Sequence, residues 1–126
     1  FHRLVRALAA IDTDATAADA VVRAHAGVDP IARALQALEG IGPVVALTLR
    51  AEIGAIERFP DWTRLACYAG LVPRVDARAG RVRQGPITRD GSPWLRWALV
   101  EAAIHAMQRS DATGRWARRL ARRLRS

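Results

Sequence analysis

The chain of 126 residues contains no lysine and a single cysteine, Cys67. One cysteine excludes an internal disulfide bond and any metal site built from several cysteines. No apolar run approaches the ~20 residues of a membrane-spanning helix, because arginine, glutamate or glycine interrupts the longest ones. The sequence begins Phe-His-Arg-Leu-Val, with neither an initiator methionine nor the layout of a signal peptide. We therefore expect a fragment of a longer protein, a cytoplasmic location and no membrane partner.

Charge is distributed unevenly along the chain, and all twenty basic residues are arginine. Residues 1–66 hold seven arginines against eight acidic residues, whereas residues 67–126 hold thirteen against four. The whole net charge of +8 therefore comes from the second half. Such asymmetry predicts an anionic partner, either nucleic acid or a membrane surface. A generally basic protein from a GC-rich genome is the alternative.

Apolar residues recur at helical spacing along most of the chain, which predicts a mainly α-helical fold. Asp12–Thr16 should break the first helix, because aspartate and threonine favour helix caps. Residues 71–91 scatter valine among arginine, glycine and proline, which predicts one short β-hairpin or an extended basic loop. We expect a helical region at 1–28, followed by a domain at 29–126. The expected helices cover residues 1–11, 17–25, 30–38, 43–53, 61–69, 93–108 and 115–125.

A turn at Gly40-Ile41-Gly42 joins two of these helices and predicts a helix-hairpin-helix. Glycine permits positive φ and lets a phosphate approach the backbone closely, and we expect this turn to need glycine twice. The following helix offers N–H groups from Gly42, Val44 and Val45 at the positive end of its dipole. With Gly40, these residues are predicted to bind a nucleic-acid backbone without reading bases. A turn used only for packing is the alternative.

A basic stretch supplies the second set of predicted contacts. Arginine offers a planar fork that suits phosphate. Clustered like charges repel one another, so folding alone does not explain the stretch. The alternative is a solvated loop without a partner. The predicted DNA-binding residues here are Arg74, Arg78, Arg81, Arg83, Thr88, Arg89 and Arg96. The arginine-rich last helix is ambiguous between a phosphate backbone, an anionic membrane and packing against the domain.

Residues that often support catalysis are present but not grouped. His2, His25 and His105 are far apart, with no acidic or cysteine partner at ligand spacing, which argues against a metal site. Cys67 lies in an apolar helix and is expected to be a small core residue. The glutamates are isolated from one another, so no carboxylate cluster for two-metal chemistry is visible. We predict neither metal ligands nor catalytic residues in this chain.

Three sequence blocks read LEGIGPVVALTLRAEIG, RFPDWTRLACYAGLVPR and GRVRQGPITRDGSPWLRWALVEAAIHA. They resemble the C-terminal domain of the insertion-sequence transposases that pair a RuvC-like DEDD domain with a serine-bearing domain, the one-ten insertion-sequence family. From Leu38 to Ala106 their order and spacing fit that family without a gap. The resemblance implies the DNA-binding part of a recombinase that works as a homo-oligomer and is guided by a structured RNA. It places the divalent metal in the DEDD domain, so we expect no cofactor in this chain.

The chain departs from that family pattern at the proposed serine nucleophile. No serine occurs between Gly70 and Ser92. Counting from both flanks puts the expected serine at Ala77 or Arg78, and neither can form a phosphoserine link. We therefore expect DNA binding without a nucleophile of its own. Two alternatives stay open: a stand-alone helix-hairpin-helix module with no recombinase role, and a strand-transfer enzyme with a different nucleophile.

Overall fold

The computed structural model describes residues 1–78 and 81–123, with the backbone alone at 76–78 and 81–84. Helices dominate, and one antiparallel hairpin lies between the fourth and fifth helices, which confirms the predicted fold class. A single 3₁₀ turn at Ile56–Arg58 was not expected from the sequence. The elements are α1 (His2–Val28), α2 (Pro30–Gln36), α3 (Pro43–Ile53), α4 (Trp62–Tyr68), β1 (Pro73–Arg78), β2 (Arg81–Ile87), α5 (Pro93–Gln108) and α6 (Ala112–Arg123).

The chain forms two compact units, Phe1–Leu47 and Thr48–Ser126. The predicted division into 1–28 and 29–126 rests on the family resemblance and stays a prediction.

The first helix, α1, is continuous, so the predicted break at Asp12–Thr16 is wrong. The Thr13 hydroxyl donates to the carbonyl oxygen of Ala9 at 2.8 Å, and the Thr16 hydroxyl donates to that of Asp12 at 2.8 Å. Each bond reaches back four residues along the helix, which satisfies the hydroxyl without starting a new cap. The two threonines are therefore accommodated inside the helix.

The core of the first unit is small and built from alanine. Ala26, Ala32 and Ala46, one from each of α1, α2 and α3, are fully buried in one cluster. Ile41 from the turn before α3 packs against this cluster, as do Leu35 and Leu47. Because alanine has a short side chain, the three helix backbones can approach closely, which holds the turn between α2 and α3 in place.

The second unit is organised around α5. Leu95 and Ala98 of this helix are fully buried, as is Ala69 at the end of α4. Ser92 caps α5 by accepting a hydrogen bond from the Leu95 N–H at 3.2 Å. Cys67 is exposed, so its predicted place in the core is wrong. The seven-residue helix α4 turns Leu65, Ala66 and Ala69 inward, which leaves the cysteine position outside.

The corner between α5 and α6 is closed by three contacts. The Asp111 carboxylate accepts a hydrogen bond from the Gly114 N–H at 3.0 Å, so α6 begins at Ala112, three residues before the predicted start. A Cβ on Gly114 would lie 2.0 Å from the Arg109 carbonyl oxygen, which only glycine avoids. Arg118 Nη1 donates to the carbonyl oxygens of Met107 at 2.5 Å and Arg109 at 2.6 Å. The last helix is therefore anchored to the end of α5.

Hydrogen bonds also lower the pKa of Asp111. The Arg109 guanidinium and the Gly114 N–H both donate to its carboxylate, and they hold the pKa of Asp111 well below its ordinary value.

Candidate nucleic-acid interface

The turn between α2 and α3 is closed by its own backbone. Gly40 adopts φ +92°, a conformation that side chains rarely tolerate. The Ile41 N–H donates to the Leu38 carbonyl oxygen at 3.1 Å, and the Ala46 N–H donates to the Gly42 carbonyl oxygen at 2.9 Å. Glycine at position 40 is thus required by the path of the chain.

Gly42 differs from Gly40 in both conformation and surroundings. Its φ lies outside the left-handed region, and a Cβ added to it would meet nothing within 4 Å. The expectation that the turn needs glycine twice is therefore wrong for the free protein. Val44 and Val45 lie in the first turn of α3, where helical N–H groups lack helical partners. Val44 already takes part in an interaction, so it is not counted as free. The helix-hairpin-helix and its DNA contacts stay predictions.

The hairpin places most of the predicted basic contacts on two paired strands. Arg78 pairs with Arg81, and Asp76 pairs with Arg83 across the ladder. Cross-strand partners share a face, so the register puts positions 76, 78, 81 and 83 on one face of the ribbon. The side chains of Arg78, Arg81 and Arg83 lie outside the described residues.

The two ends of this basic segment meet in a crossing of backbones, which we call the glycine crossing, at Gly70 and Gly91. Gly70 adopts φ +66°, and a Cβ on it would lie 2.8 Å from the Gly91 nitrogen. A Cβ on Gly91 would lie 1.9 Å from the Tyr68 carbonyl oxygen. Both distances are too short for any side chain. The chain itself occupies the space beside both glycines, which leaves no room there for a phosphate.

Hydrogen bonds extend the glycine crossing to Thr88 and Arg89. The Arg89 N–H donates to the Gly70 carbonyl oxygen at 3.1 Å, and the Thr88 N–H donates to the Val72 carbonyl oxygen at 2.9 Å. Arg89 adopts φ +58°, which is unusual for a residue with a side chain, and that side chain is exposed. Thr88 and Arg89 therefore sit at a rigid base of the hairpin, and Arg74 is exposed at the start of β1.

Arg96 contributes to the same crossing. Its Nη1 donates to the Ala69 carbonyl oxygen at 3.1 Å, with a longer contact of 3.5 Å to the carbonyl oxygen of Gly91. This position ties α5 to both segments of the crossing. The contact accounts for Arg96 within the protein, and the DNA contact predicted for it stays a prediction. Sequence reasoning missed this role, since the hydrogen-bond partner lies 27 residues away along the chain.

In the part of the chain that the structure describes, no three histidine, cysteine, aspartate or glutamate side chains lie close enough together to hold a metal ion. None of the helices in those ranges combines the length and apolarity needed to span a membrane. The absence of metal ligands and of a cofactor from this chain remains an expectation.

Comparison with known proteins defines the class of this domain. A probable family 20 transposase of Pseudomonas aeruginosa is 33% identical over 106 residues, which cover 81% of this chain and 31% of that protein. A putative transposase of Sinorhizobium fredii, y4pF/y4sB, is 34% identical over 80 residues, covering 64% and 21%. The transposase for insertion sequence element IS1111A of Coxiella burnetii is 28% identical over 93 residues, covering 71% and 26%. The domain is thus of the transposase class.

The family follows from a second match. The family model described as the transposase IS116/IS110/IS902 family matches residues 32–121. The chain belongs to this family, which confirms the resemblance stated from the sequence. It spans about a third or less of the length of the curated relatives it matches.

Proposed function

We propose that this part of the transposase binds the sugar–phosphate backbone of duplex DNA during transposition. The observation that carries the proposal is the open glycine at position 42, directly before the eleven-residue helix α3. The fold does not need glycine there, so a close approach by a ligand is the remaining physical use for it. Membership in a transposase family supplies the chemistry of that ligand.

The start of α3 supports binding of an anion. The helix begins at Pro43, which has no N–H to leave unsatisfied. Its first turn carries the positive end of the helix dipole, and backbone N–H groups there favour phosphate. Ile41, packed on the alanine cluster, fixes the turn that presents this end of the helix. The turn would contact the backbone and not the bases, so binding at this surface is independent of sequence.

The hairpin forms a second proposed surface, in the other compact unit. Its arginines, with Thr88 and Arg89 at the hydrogen-bonded base, would contact further phosphates. The predicted contacts are Arg74, Arg78, Arg81, Arg83, Thr88 and Arg89. Arg96 is the weakest member of the predicted set, because its guanidinium already donates to backbone carbonyls.

A titration of the full chain with a short fluorescent DNA duplex tests the proposal. Affinity should fall steeply as salt rises from about 50 to 200 mM, with a slope near 0.9 for each phosphate contact. Gly42→Ala should weaken binding about tenfold, the equivalent of one lost hydrogen bond. Gly27→Ala is the matched control, since Gly27 is equally open but lies at the end of α1. It should leave the affinity unchanged.

The hairpin has its own control. Arg74→Gln should weaken duplex binding and lower the salt slope by about one. Arg6→Gln removes the same charge from the exposed helix α1 and should change neither quantity. The proposal would be overturned if the chain did not bind the duplex at low salt. It would also be overturned if a control variant, Gly27→Ala or Arg6→Gln, lost as much affinity as its partner, Gly42→Ala or Arg74→Gln. A structured RNA as competitor measures the preference of the site between DNA and the guide RNA that the resemblance implies.

We further propose that α1 pairs with a second copy of the chain, as expected for a homo-oligomer. Every residue from Phe1 to Ala18 is exposed, including Leu4, Leu8 and Ile11. These apolar residues alternate at spacings of four and three, and Ala15, Ala18 and Val22 continue the series. Such a stripe is the seam of a coiled coil.

Sedimentation of the full chain tests the pairing. The unaltered chain should sediment as a dimer at micromolar concentration, and Leu8→Glu should yield a monomer because a charge would be buried in the seam. Arg6→Glu, two residues away and off the stripe, should leave the dimer intact. A monomeric unaltered chain would rule out this role for α1.

A further inference from the structure

The outer face of α6 has no assigned role. Gly114 is buried, and Ala117, Arg118 and Ala121 are partly buried, so one side of the helix packs against the second unit. On the opposite side, Trp116 is 64% exposed and Leu120 is 42% exposed. Exposing an indole costs more than exposing any aliphatic side chain of the same helix would. A partner that covers Trp116 would remove that cost.

Positive charge surrounds this tryptophan. Between Ala112 and Arg123 the helix carries five arginines and no acidic residue. Arg118 is used to anchor the helix, and Arg115 Nη1 donates to the Ser110 carbonyl oxygen at 3.2 Å. Within the described ranges, Arg119 and Arg122 have no hydrogen-bond or ion-pair partner. Their guanidinium groups are therefore available to an anion beside the exposed indole.

Trp116 and Arg119 share one groove, and Arg122 lines the depression beside it. A shallow groove of about 150 Å³ is lined by Trp116, Arg119, Leu120 and Arg123. A larger depression of about 500 Å³ runs beside it along the arginines of the same helix. A flat apolar ring next to a line of guanidinium groups matches a nucleotide, which has a flat base and a charged phosphate. A membrane-binding helix would need a wider apolar side than one tryptophan and one leucine.

We propose that the outer face of α6 binds an unpaired nucleotide strand. Trp116 stacks on one exposed base, while Arg119 and Arg122 contact the phosphates that flank it. Bases inside a duplex are already stacked on their neighbours, so Trp116 contributes only when the strand is unpaired. The inference goes beyond duplex binding by the turn and the hairpin, because it names a separate surface and a different state of the nucleic acid.

Binding of labelled single strands to the full chain tests this inference. The probes are oligothymidylate and oligouridylate of about 15 nucleotides, with a DNA duplex of the same length for comparison. Trp116→Leu should weaken binding of one or both single strands about tenfold and change duplex affinity by less than about twofold. Trp116→Phe keeps an aromatic ring and should restore most of the affinity. The strand that responds more strongly identifies the source as DNA or RNA.

The controls separate stacking from charge and from misfolding. Trp62, on α4, is 80% exposed, and Trp62→Leu should leave single-strand binding unchanged. Arg119→Gln should weaken binding and lower the salt slope for single strands by about 0.7. Circular dichroism of each variant should match that of the unaltered chain, because both tryptophans lie on the surface.

Two outcomes would overturn the inference. One is a Trp116→Leu variant that binds single strands normally, or that loses duplex affinity to the same degree. The other is tight binding of the chain to phosphatidylserine vesicles that Trp116→Leu abolishes while nucleic-acid binding persists. If single-strand binding by α6 were disproved, the expected effect of Gly42→Ala on duplex affinity would still hold. The proposals for α6 and for the turn before α3 can therefore be tested independently.

Discussion

Gly42 and Gly91 show two opposite structural reasons for a glycine. A Cβ on Gly91 would collide with the Tyr68 carbonyl oxygen at 1.9 Å, whereas a Cβ on Gly42 would meet nothing within 4 Å. The fold explains why residue 91 is glycine, but it does not explain the glycine at position 42. The difference shows where to look for ligand contacts in a glycine-rich protein: at a glycine that the chain leaves open and that also directly precedes a helix, which Gly27 at the end of α1 does not.

The largest effect should come from filling the glycine crossing. Gly91→Ala should lower the free energy of unfolding by about 3 kcal/mol, because a methyl group would force two backbone segments apart. Urea unfolding followed by tryptophan fluorescence measures this, since all four tryptophans lie in the second unit. Gly42→Ala should leave the same curve unchanged. Equal stability of the two variants would mean that the crossing is not closed in solution.

A smaller loss of stability is expected at Gly40, the first glycine of the turn between α2 and α3. Gly40→Ala places a side chain in the left-handed region and should cost about 1–2 kcal/mol. The first unit contains no tryptophan, so loss of helical circular dichroism in urea is the measurement. Gly42→Ala should cost nothing there and is the internal control. A neutral Gly40→Ala would show that the turn adopts another conformation in solution.

A similar but smaller loss should follow from removing the arginine of the crossing. Arg96→Gln should destabilise the second unit by about 1 kcal/mol, because the Ala69 carbonyl oxygen loses a donor. The measurement is tryptophan fluorescence in urea, together with duplex affinity. Arg74→Gln, which removes the same charge from an exposed site, should leave stability unchanged. A variant at position 96 that loses DNA binding while keeping full stability would reverse the assignment.

The smallest effect concerns the pH dependence of stability that arises from Asp111, whose carboxylate accepts a hydrogen bond from the Gly114 N–H. The pKa of Asp111 is lower in the folded chain than in the unfolded one. Its ionised form therefore stabilises the fold above the ordinary carboxyl range near pH 4, and this contribution is lost as pH falls below it. Asp111→Asn keeps an oxygen acceptor without the charge, so the urea midpoint should fall less between about pH 7 and pH 3. If Asp111→Asn and the unaltered chain showed the same pH dependence, the Asp111 carboxylate would not be the source of this stabilisation.

Local signals in the sequence predicted some elements well. The helix α5 covers the predicted residues 93–108. The same reasoning failed at Thr13 and Thr16, because a threonine hydroxyl bonds inside a helix as readily as at a cap. At α6 the cap is Asp111, whose role depends on Gly114 fitting against the previous helix. That fit is not visible in the sequence.

The candidate site was predicted less completely than the fold. The turn at positions 40–42 and the basic hairpin follow from residue types close together in the chain. The glycine crossing does not, since it depends on segments that are far apart in sequence. The bond from Arg96 to the Ala69 carbonyl oxygen spans 27 residues, and an arginine counted only by charge was assigned to DNA. Long-range backbone contact is the information that residue patterns lack.

The glycine crossing also bears on how this domain can diverge. Both ends of the segment from Gly70 to Gly91 are fixed by backbone contacts that make no use of the strand side chains between them. The hairpin is therefore attached as an exchangeable module, in which sequence can drift while the scaffold is inherited intact. Ala77 or Arg78, where the resemblance places the serine of the family, falls inside this module. The glycine crossing therefore does not depend on which residue stands at that position.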